Sequence, residues 1–405
     1  MVEAAHPARI VIVGASLAGA SAAVTLRELG YGGELTLIGD EAEPPYERPP
    51  LSKAVLIGNA DEPDWVRDEA YYADHQIELL RGTTVTRIDP ARHVVVAGGT
   101  EHGYDKLLMA TGSTPRRLDV PGADLDGVFT LRTLGDSLGL RERFTAGADI
   151  VVLGAGWIGC ESAAAARHRG ASVTVVEPLT QPLLKVVGEQ VGASFAALHR
   201  EHGVDLRLGT SVVGFDGEGG RVTSVRLPDG VSIPADTVVV GVGVAPNVAL
   251  ADAAGLELAE GGVAVDATLR TSDPDIYAAG DIAAQDHPAY GRRVRVEHWA
   301  NAKDQGEHVA GNLLGAAAAY EKRPFFFSDQ YDLGCEYRGL ADPDRDRLVV
   351  RGDLASREFI AFWLREGAVA AALNVNMWDD GDALQALVDS GRPVEDDALV
   401  SGSLS

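Results

Sequence analysis

The chain has 405 residues, 46% of them hydrophobic and 23% charged, with a formal net charge of -25 at pH 7. That length allows two or three domains, each with its own core, and the charge argues against nucleic acid, whose phosphates demand a basic surface. Cys160 and Cys335 are the only cysteines, which excludes a disulfide scaffold, a CxxC pair and a cysteine-rich metal site.

A reduced, cytoplasmic setting is therefore expected. No apolar run nears the roughly 20 residues of a membrane-spanning helix. The N-terminus enters a strand without the basic segment of a signal peptide, so none is expected.

The first stretch, "ARIVIVGASLAGASAAVTLRELG", predicts a strand, a tight glycine turn and an Ala-rich helix. Ile10 to Val13, all β-branched, run into Gly14, Ser16, Leu17, Ala18 and Gly19. A second strand, "GELTLIGD", closes at Asp40. This is the dinucleotide fingerprint: glycines let the backbone approach a pyrophosphate at a helix N-terminus, and a terminal acid holds a ribose. Ser16 replaces the central glycine; it is small enough for close approach, and its hydroxyl can donate to a phosphate.

Next comes "PPYERPPLSK", residues 44–53. It is either a stiff connector or a holder of two cations, Arg48 and Lys53. "YDKLLMATGSTPR" then predicts a buried strand ending in the Ala110-Thr111-Gly112 turn, with a domain boundary near 115. "DIVVLGAGWIGCESAAAARHRGASVTVVEP" repeats the fingerprint, with Gly154, Gly156 and Gly159 all present and Glu177 closing its second strand. One such motif is weak evidence; two, each between a strand and a helix and each closed by an acid, are strong evidence. Glu177 favours an unphosphorylated ribose and repels a 2′-phosphate, and the following "PLTQPLLK" offers only Lys185 as a cation. NADH is thus expected over NADPH.

"DTVVVGVGVAPN" returns the chain near 245, and "TSDPDIYAAGDIA" forms a strand ending at Gly280-Asp281 with a helix or loop beyond. From 323 the character becomes aromatic and strand-rich to about 376, then a helix, "DDGDALQALVDSG", then a polar terminus expected to fray. The expected fold is α/β: two Rossmann-like dinucleotide-binding domains, the second inserted into a split first, plus a C-terminal α+β domain.

Taken together, GxSxxG, "ERPPLSK", "ATGSTPR", GxGxxGCE, "VGVAPN", "DIYAAGD", "EHWANAKDQG" and "FFFSDQYD" resemble one family, the FAD-dependent, NADH-using ferredoxin reductases that serve oxygenases. The motifs cover nearly the whole chain in the family's order, and "PPLSK" with "SDQYD" is the most specific pair. The resemblance implies a FAD domain at 1–115 and 246–322, a NAD domain at 116–245 and an interface domain at 323–405.

Gly14, Ser16, Leu17, Ala18, Gly19, Asp40, Arg48, Pro49, Lys53, Val85, Ala110, Thr111, Gly112, Arg132, Gly280, Asp281, Glu297, His298 and Trp299 fall on its FAD side. Gly154, Gly156, Trp157, Ile158, Gly159, Glu161, Glu177 and Gly243 fall on its NAD side. It also implies an iron–sulfur ferredoxin as acceptor, an oxygenase downstream, and a monomer or weak homodimer. Gln181 departs from the arginine many members carry, and the aromatic triplet lacks their tryptophan.

Hydride transfer to a flavin N5 needs stacked rings, little water and stabilisation of developing negative charge. Residues 40–55 hold no cysteine, which argues against disulfide reductases and against relatives using a single thiol there. Lys53 is the expected working residue, its ammonium stabilising the reduced flavin; Glu161, on the first turn of the second Rossmann helix, is expected to pair with it.

Asp281 is expected to accept ribityl hydrogen bonds and to cap a following helix. Trp299 is expected either to cover the flavin or to pack in the core, and His298 is assigned no chemical step. Cys160 and Cys335 read as inert. Arg292, Arg293, Arg295, Lys322 and Arg323 form a basic run suited to an acidic ferredoxin. A rubredoxin reductase or another NADH:acceptor flavoprotein, and a redox interaction protein like apoptosis-inducing factor, remain alternatives.

Overall fold

The computed structural model describes residues 6–402. Its chain divides into two compact units. Unit 1 runs to Glu47 and continues through Asp64–Thr114 and Ala245–Pro324; unit 2 holds Arg48–Pro63, Pro115–Val244 and the chain from Phe325 onward. The proline run is therefore split, with Arg48 to Lys53 falling in unit 2.

Unit 1 is built on a five-stranded parallel sheet in the order Ile276–Ala278, Lys106–Met109, Arg9–Val13, Glu34–Ile38, Ile77–Leu80. Strands covered on both faces read as continuous apolar runs; Ile10 to Val13 are all buried for that reason. The Ala-rich helix Leu17–Glu28 lies against the helix Trp299–Leu313. They meet closely at Gly306, where a Cβ would stand 2.3 Å from the Ala18 carbonyl oxygen.

Unit 2 repeats the parallel sheet, in the order Asp205–Leu208, Ser172–Glu177, Asp149–Leu153, Thr237–Val240, Val128–Phe129. It also carries a five-stranded antiparallel sheet from 325 to 375, ordered Phe325–Gln330, Leu333–Gly339, Ala368–Val375, Glu358–Arg365, Arg347–Asp353. The strand Glu358–Arg365 shows how this sheet sits. Phe359, Ala361 and Trp363 share a core with Val191, Phe195 and Leu198 of the helix Leu184–Glu201. Ile360, Phe362 and Leu364, on the opposite face, bury Leu384, Val388 and Leu399. The two-residue side-chain period makes one strand serve two cores.

Two expectations are corrected. The polar terminus folds into the helix Asp396–Ser401. Arg347 pairs with Asp396 through two bonds of 2.6 and 2.7 Å, and Arg351 donates to the Ala398, Leu399 and Gly402 carbonyls that close the helix. Leu399 is fully buried, which anchors an otherwise polar segment. Asp281 does not cap a helix: Gly280–Ile282 is one 3-10 turn that leads into the strand Ala283–His287. That strand pairs with Gly262–Val265 and Arg292–Arg295, and long-range pairing overrides the local signal. The next long helix starts at Trp299, with His298 as its N-cap.

Candidate functional site

In unit 1 the first Rossmann turn is tight enough to admit only glycine at positions 14 and 19. Gly14 has φ +111°, and a Cβ on it would lie 2.1 Å from the Ala110 carbonyl oxygen. Gly19 would bring a Cβ to 1.9 Å from the Gly14 carbonyl oxygen. Ser16 is the N-cap of Leu17–Glu28 and makes no capping hydrogen bond, and the first turn holds no acid. The orphan amides of that helix end are thus not answered by a side chain, which is the arrangement an anionic pyrophosphate fits.

Leu17 and Ala18 are buried behind the turn, and Asp40 is exposed two residues past the end of its strand. Ala110 to Gly112 follow the strand Lys106–Met109. Thr111 donates to the Asn247 carbonyl at 3.0 Å, and Asn247 returns a bond to the Thr111 carbonyl at 2.8 Å. Gly112 has φ 62°.

Ser113 donates to the Asp281 carboxylate at 2.6 Å, and the Gly280 amide donates to Gln305 at 2.9 Å. Both fix the end of the strand Ile276–Ala278. The Trp299 indole N–H donates to Glu47 at 3.1 Å, and burial raises the Glu47 carboxyl above its ordinary range. Burial also pushes His298 down to about 4, against the opposing pull of Asp281. Glu297 pairs with Arg295. Val85 opens the strand Val85–Asp89 at the edge of the same core.

Unit 2 carries the second turn. Gly154 has φ +94° and would place a Cβ 2.5 Å from the Gly241 carbonyl oxygen; Gly159 would place one 2.0 Å from that of Gly154. Gly156 differs, because nothing stands within 4 Å of a Cβ added there. It is the N-cap of Trp157–His168, whose first turn has no side-chain cap and no acid. An open glycine before an uncapped helix is where a second pyrophosphate can approach.

Ile158 is exposed, and Trp157 packs edge-on to Phe195 and Phe326 at 5.7 and 4.9 Å between centroids. The buried Glu177 carboxylate accepts from the Ala155 amide at 2.6 Å and the Leu179 amide at 2.9 Å, which fixes it beside the turn. Gly243 has φ +96° and open space at its Cβ position.

The proline run forms the 3-10 turn Pro49–Ser52 and then the short helix Ala54–Ile57. Pro49 supplies a preset φ at its first position. Ser137 donates to the Leu51 carbonyl at 2.7 Å, and Arg48 donates to the Arg132 carbonyl. Arg132 itself is held by Asp136, which accepts from its amide at 3.0 Å. Lys53 then reaches Glu161 at 2.8 Å, and their side chains are 16% and 3% exposed. Glu161 is the fifth residue of its helix, one turn in rather than on the first turn.

Two hydroxyls complete the carboxylate: Ser52 donates to Oε2 and Ser328 to Oε1, the latter at 2.6 Å. The Lys53 ammonium also lies 5.2 Å from the centre of the Phe327 ring. A buried pair of this kind is costly to break, because the remaining charge is left uncompensated. The sequence reading did not single out Ser52 and Ser328, though both stand inside the two most specific motifs. In "FFFSDQ" the two-residue period put Phe326, Ser328 and Gln330 on one face, all buried, a visible sign that two polar groups there needed partners.

The basic run is largely committed to its own surroundings. Arg295 pairs with Glu297, Lys322 with Asp304 at 2.7 Å, and Arg293 donates to the Val265 and Ala284 carbonyls. Arg323 lies over the Tyr290 ring at 5.0 Å, and Arg292 is exposed.

Both thiols are buried, and burial raises each well above the ordinary cysteine range. In the native protein a thiol reagent such as DTNB is expected to leave both unmodified, and denaturant is expected to release two reactive thiols. Rapid native labelling would mean that a thiol is accessible after all.

Residues 8–306 match the family described as pyridine nucleotide-disulphide oxidoreductase, and residues 325–405 match the reductase C-terminal domain. The chain belongs to the pyridine nucleotide-disulphide oxidoreductase family and is an oxidoreductase whose family binds FAD.

It is 42% identical over 395 residues to the 5,5'-dehydrodivanillate O-demethylase ferredoxin reductase subunit of Sphingobium, covering 96% of this chain and 95% of that one. The ferredoxin reductase for the CYP199A2 system of Rhodopseudomonas palustris matches with a TM-score of 0.94 and 39% identity over 98% of both chains. The covalent putidaredoxin reductase–putidaredoxin complex matches with a TM-score of 0.93 and 38% identity, covering 98% of this chain and 96% of that one. No helix among the described residues is long and apolar enough to cross a membrane.

Proposed function

We propose that this protein moves electrons from NADH through FAD to an acidic iron–sulfur ferredoxin that supplies an oxygenase, in the cytoplasm. What carries the reading is its likeness, along nearly the full length of both chains, to proteins named as ferredoxin reductases. FAD, when bound, accepts a hydride at N5 and gives up the two electrons singly. The functional division that goes with this reading is a FAD domain at 1–115 and 246–322, a NAD domain at 116–245 and an interface domain at 323–405.

In this reading the uncapped amides behind Gly14 and Ser16 receive the FAD pyrophosphate, with Asp40 on the ribose and Asp281, oriented by Ser113, on the ribityl chain. Arg48 and Arg132 hold the loop that presents Lys53. Lys53 supplies a fixed cation toward N5, where negative charge develops, and Glu161 positions it. The turn at Gly156 receives NADH, and Glu177 keeps a 2′-phosphate away.

Acidity of the partner is supported by Arg292 and Lys322, the exposed members of the basic run, against a net charge of -25. Since the neighbouring cations are ion-paired or turned to carbonyls, the steering they provide is modest.

The test is NADH-driven cytochrome c reduction with putidaredoxin or rubredoxin as the added mediator. Putidaredoxin is expected to raise the rate and rubredoxin to leave it near background. The stimulated rate is expected to fall several-fold as ionic strength rises from about 0.01 M to about 0.15 M. A rate indifferent to putidaredoxin would overturn the ferredoxin assignment, and a flat salt profile would overturn the acidic-partner part alone.

A further inference from the structure

A chain of buried polar side chains runs away from Glu161 inside unit 2. Ser328 donates to Glu161 Oε1 at 2.6 Å, Gln330 Nε2 donates to Ser328 Oγ at 3.2 Å, and Gln330 Oε1 lies 3.0 Å from His199 Nε2. His199 Nδ1 lies 3.2 Å from the Tyr331 hydroxyl. Ser328, Gln330 and His199 are each fully buried. His199 interrupts the apolar stripe formed by Val187, Val191, Phe195 and Leu198 on the helix Leu184–Glu201. A polar group in such a place costs free energy unless it is hydrogen-bonded.

The direction of every bond follows from one end. A carboxylate paired with an ammonium only accepts, so Ser328 gives its one proton to Glu161. The Ser328 oxygen can then only accept, which turns the Gln330 amide nitrogen toward it. The Gln330 carbonyl oxygen consequently faces His199 and requires an N–H there. That places the imidazole proton on Nε2 and leaves Nδ1 to accept from Tyr331. Burial pushes His199 down to about 4, which agrees with a neutral ring holding one proton. Tyr331, itself raised by burial, keeps its proton and is stacked on His202 with ring centroids 3.7 Å apart.

The alternative orientation is easy to name. With no N–H at position 199, the Gln330 amide is free to turn around, and its oxygen would take the Ser328 proton. Glu161 would then lose one of its two hydroxyl donors and hold Lys53 less firmly.

We propose that His199 is a positioning residue for the redox site: through the amide of Gln330 and the hydroxyl of Ser328, it sets the orientation of Glu161 and so of Lys53. The assignment rests on Lys53 being the working cation of the reading above. His199 touches neither Lys53 nor Glu161 in the described hydrogen bonds and ion pairs, so its effect is relayed.

Two readouts test it on the FAD-loaded protein. In the first, ¹⁵N-histidine NMR, with His199 identified by its loss in His199→Gln, is expected to show a proton on Nε2 and none on Nδ1. A dominant Nδ1–H tautomer would overturn the proposal, because the amide would then have to face the other way. This measurement is independent of turnover, so it stands or falls apart from the role of Lys53.

In the second, flavin reduction by NADH is followed by stopped flow. His199→Leu is expected to slow it about tenfold with little change in NADH affinity. His199→Gln, whose amide can still donate to Gln330, is expected to restore the rate. Ser328→Ala combined with His199→Leu is expected to be no slower than Ser328→Ala alone, since both act on one bond. Additive losses, or no rescue by glutamine, would sink the relay. Should His199→Leu fold poorly, Tyr331→Phe removes only the hydroxyl that answers Nδ1. It is expected to leave the proton on Nε2 in the same NMR experiment, because the Gln330 carbonyl holds it there, and a switch to the Nδ1–H form would contradict the chain.

Discussion

Replacing Lys53 with methionine is expected to leave a protein that folds and binds FAD, but whose flavin NADH reduces about 100-fold more slowly. The expectation rests on the proposed placement of Lys53 toward the flavin N5 and on the geometry of its ion pair. Lys53 is held at 2.8 Å by a carboxylate that is 3% exposed, and Ser52 and Ser328 saturate that same carboxylate. A cation fixed in this way is already oriented when charge develops, so little reorganisation opposes its effect. Methionine keeps the length and the apolar stem while removing the charge. The two serine hydroxyls still answer Glu161, but its buried charge is left without a cation, so a stability loss of about 3 kcal/mol should accompany the loss of rate. Stopped-flow reduction measured beside thermal unfolding separates the two, and a parent-like rate in a FAD-loaded Lys53→Met protein would remove Lys53 from the chemistry.

The second large effect separates two glycines of one motif. Gly154→Val is expected to cost at least about 3 kcal/mol of stability, because φ +94° is strained for valine and its Cβ would meet the Gly241 carbonyl oxygen at 2.5 Å. Gly156→Val is expected to fold with a loss near 1 kcal/mol, roughly the cost of a poor N-cap. Nothing lies within 4 Å of a Cβ at that site, and its backbone is extended, at φ -76° and ψ -176°. Yet NADH affinity should fall about 100-fold, because the space the valine fills is where the proposed site receives the pyrophosphate. Thermal unfolding and NADH titration of both variants check the pair. Equal stabilities, or unchanged NADH binding in Gly156→Val, would show that the glycines are not divided in this way.

How much of this could be read from the chain depended on the range of the interactions. Both Rossmann units were legible because their signals are local: a β-branched run, a glycine turn, an Ala-rich helix and a closing acid within about 30 residues. The pairing of Lys53 with Glu161 spans more than a hundred positions and was reachable only because "PPLSK" and "GCE" occur together in one family.

Ser328 and Gln330 could have been flagged by their period in "FFFSDQ", but their partner His199 could not, since it stands 131 residues from Gln330. The terminal helix Asp396–Ser401 was read as a fraying tail because its local composition is polar. Its stability comes from Arg347 and Arg351, 49 and 48 residues before their partners, and from the pocket that Ile360 and Phe362 help to form around Leu399. The cap expected of Asp281 failed in the same way, because the strand that follows it is set by partners on either side. The basic run showed its charges but not the acids beside them, Glu297 and Asp304.

Electron transfer from NADH through FAD to a ferredoxin is the central claim, and one anaerobic experiment tests it directly. The FAD-loaded protein is mixed with one equivalent of NADH and then with two equivalents of oxidised putidaredoxin, while the flavin and iron–sulfur absorbances are followed. The account predicts that the flavin band bleaches on the first mixing and returns on the second, with two putidaredoxin molecules reduced per NADH consumed. A flavin band that bleaches and stays bleached, with the putidaredoxin left oxidised, would contradict it.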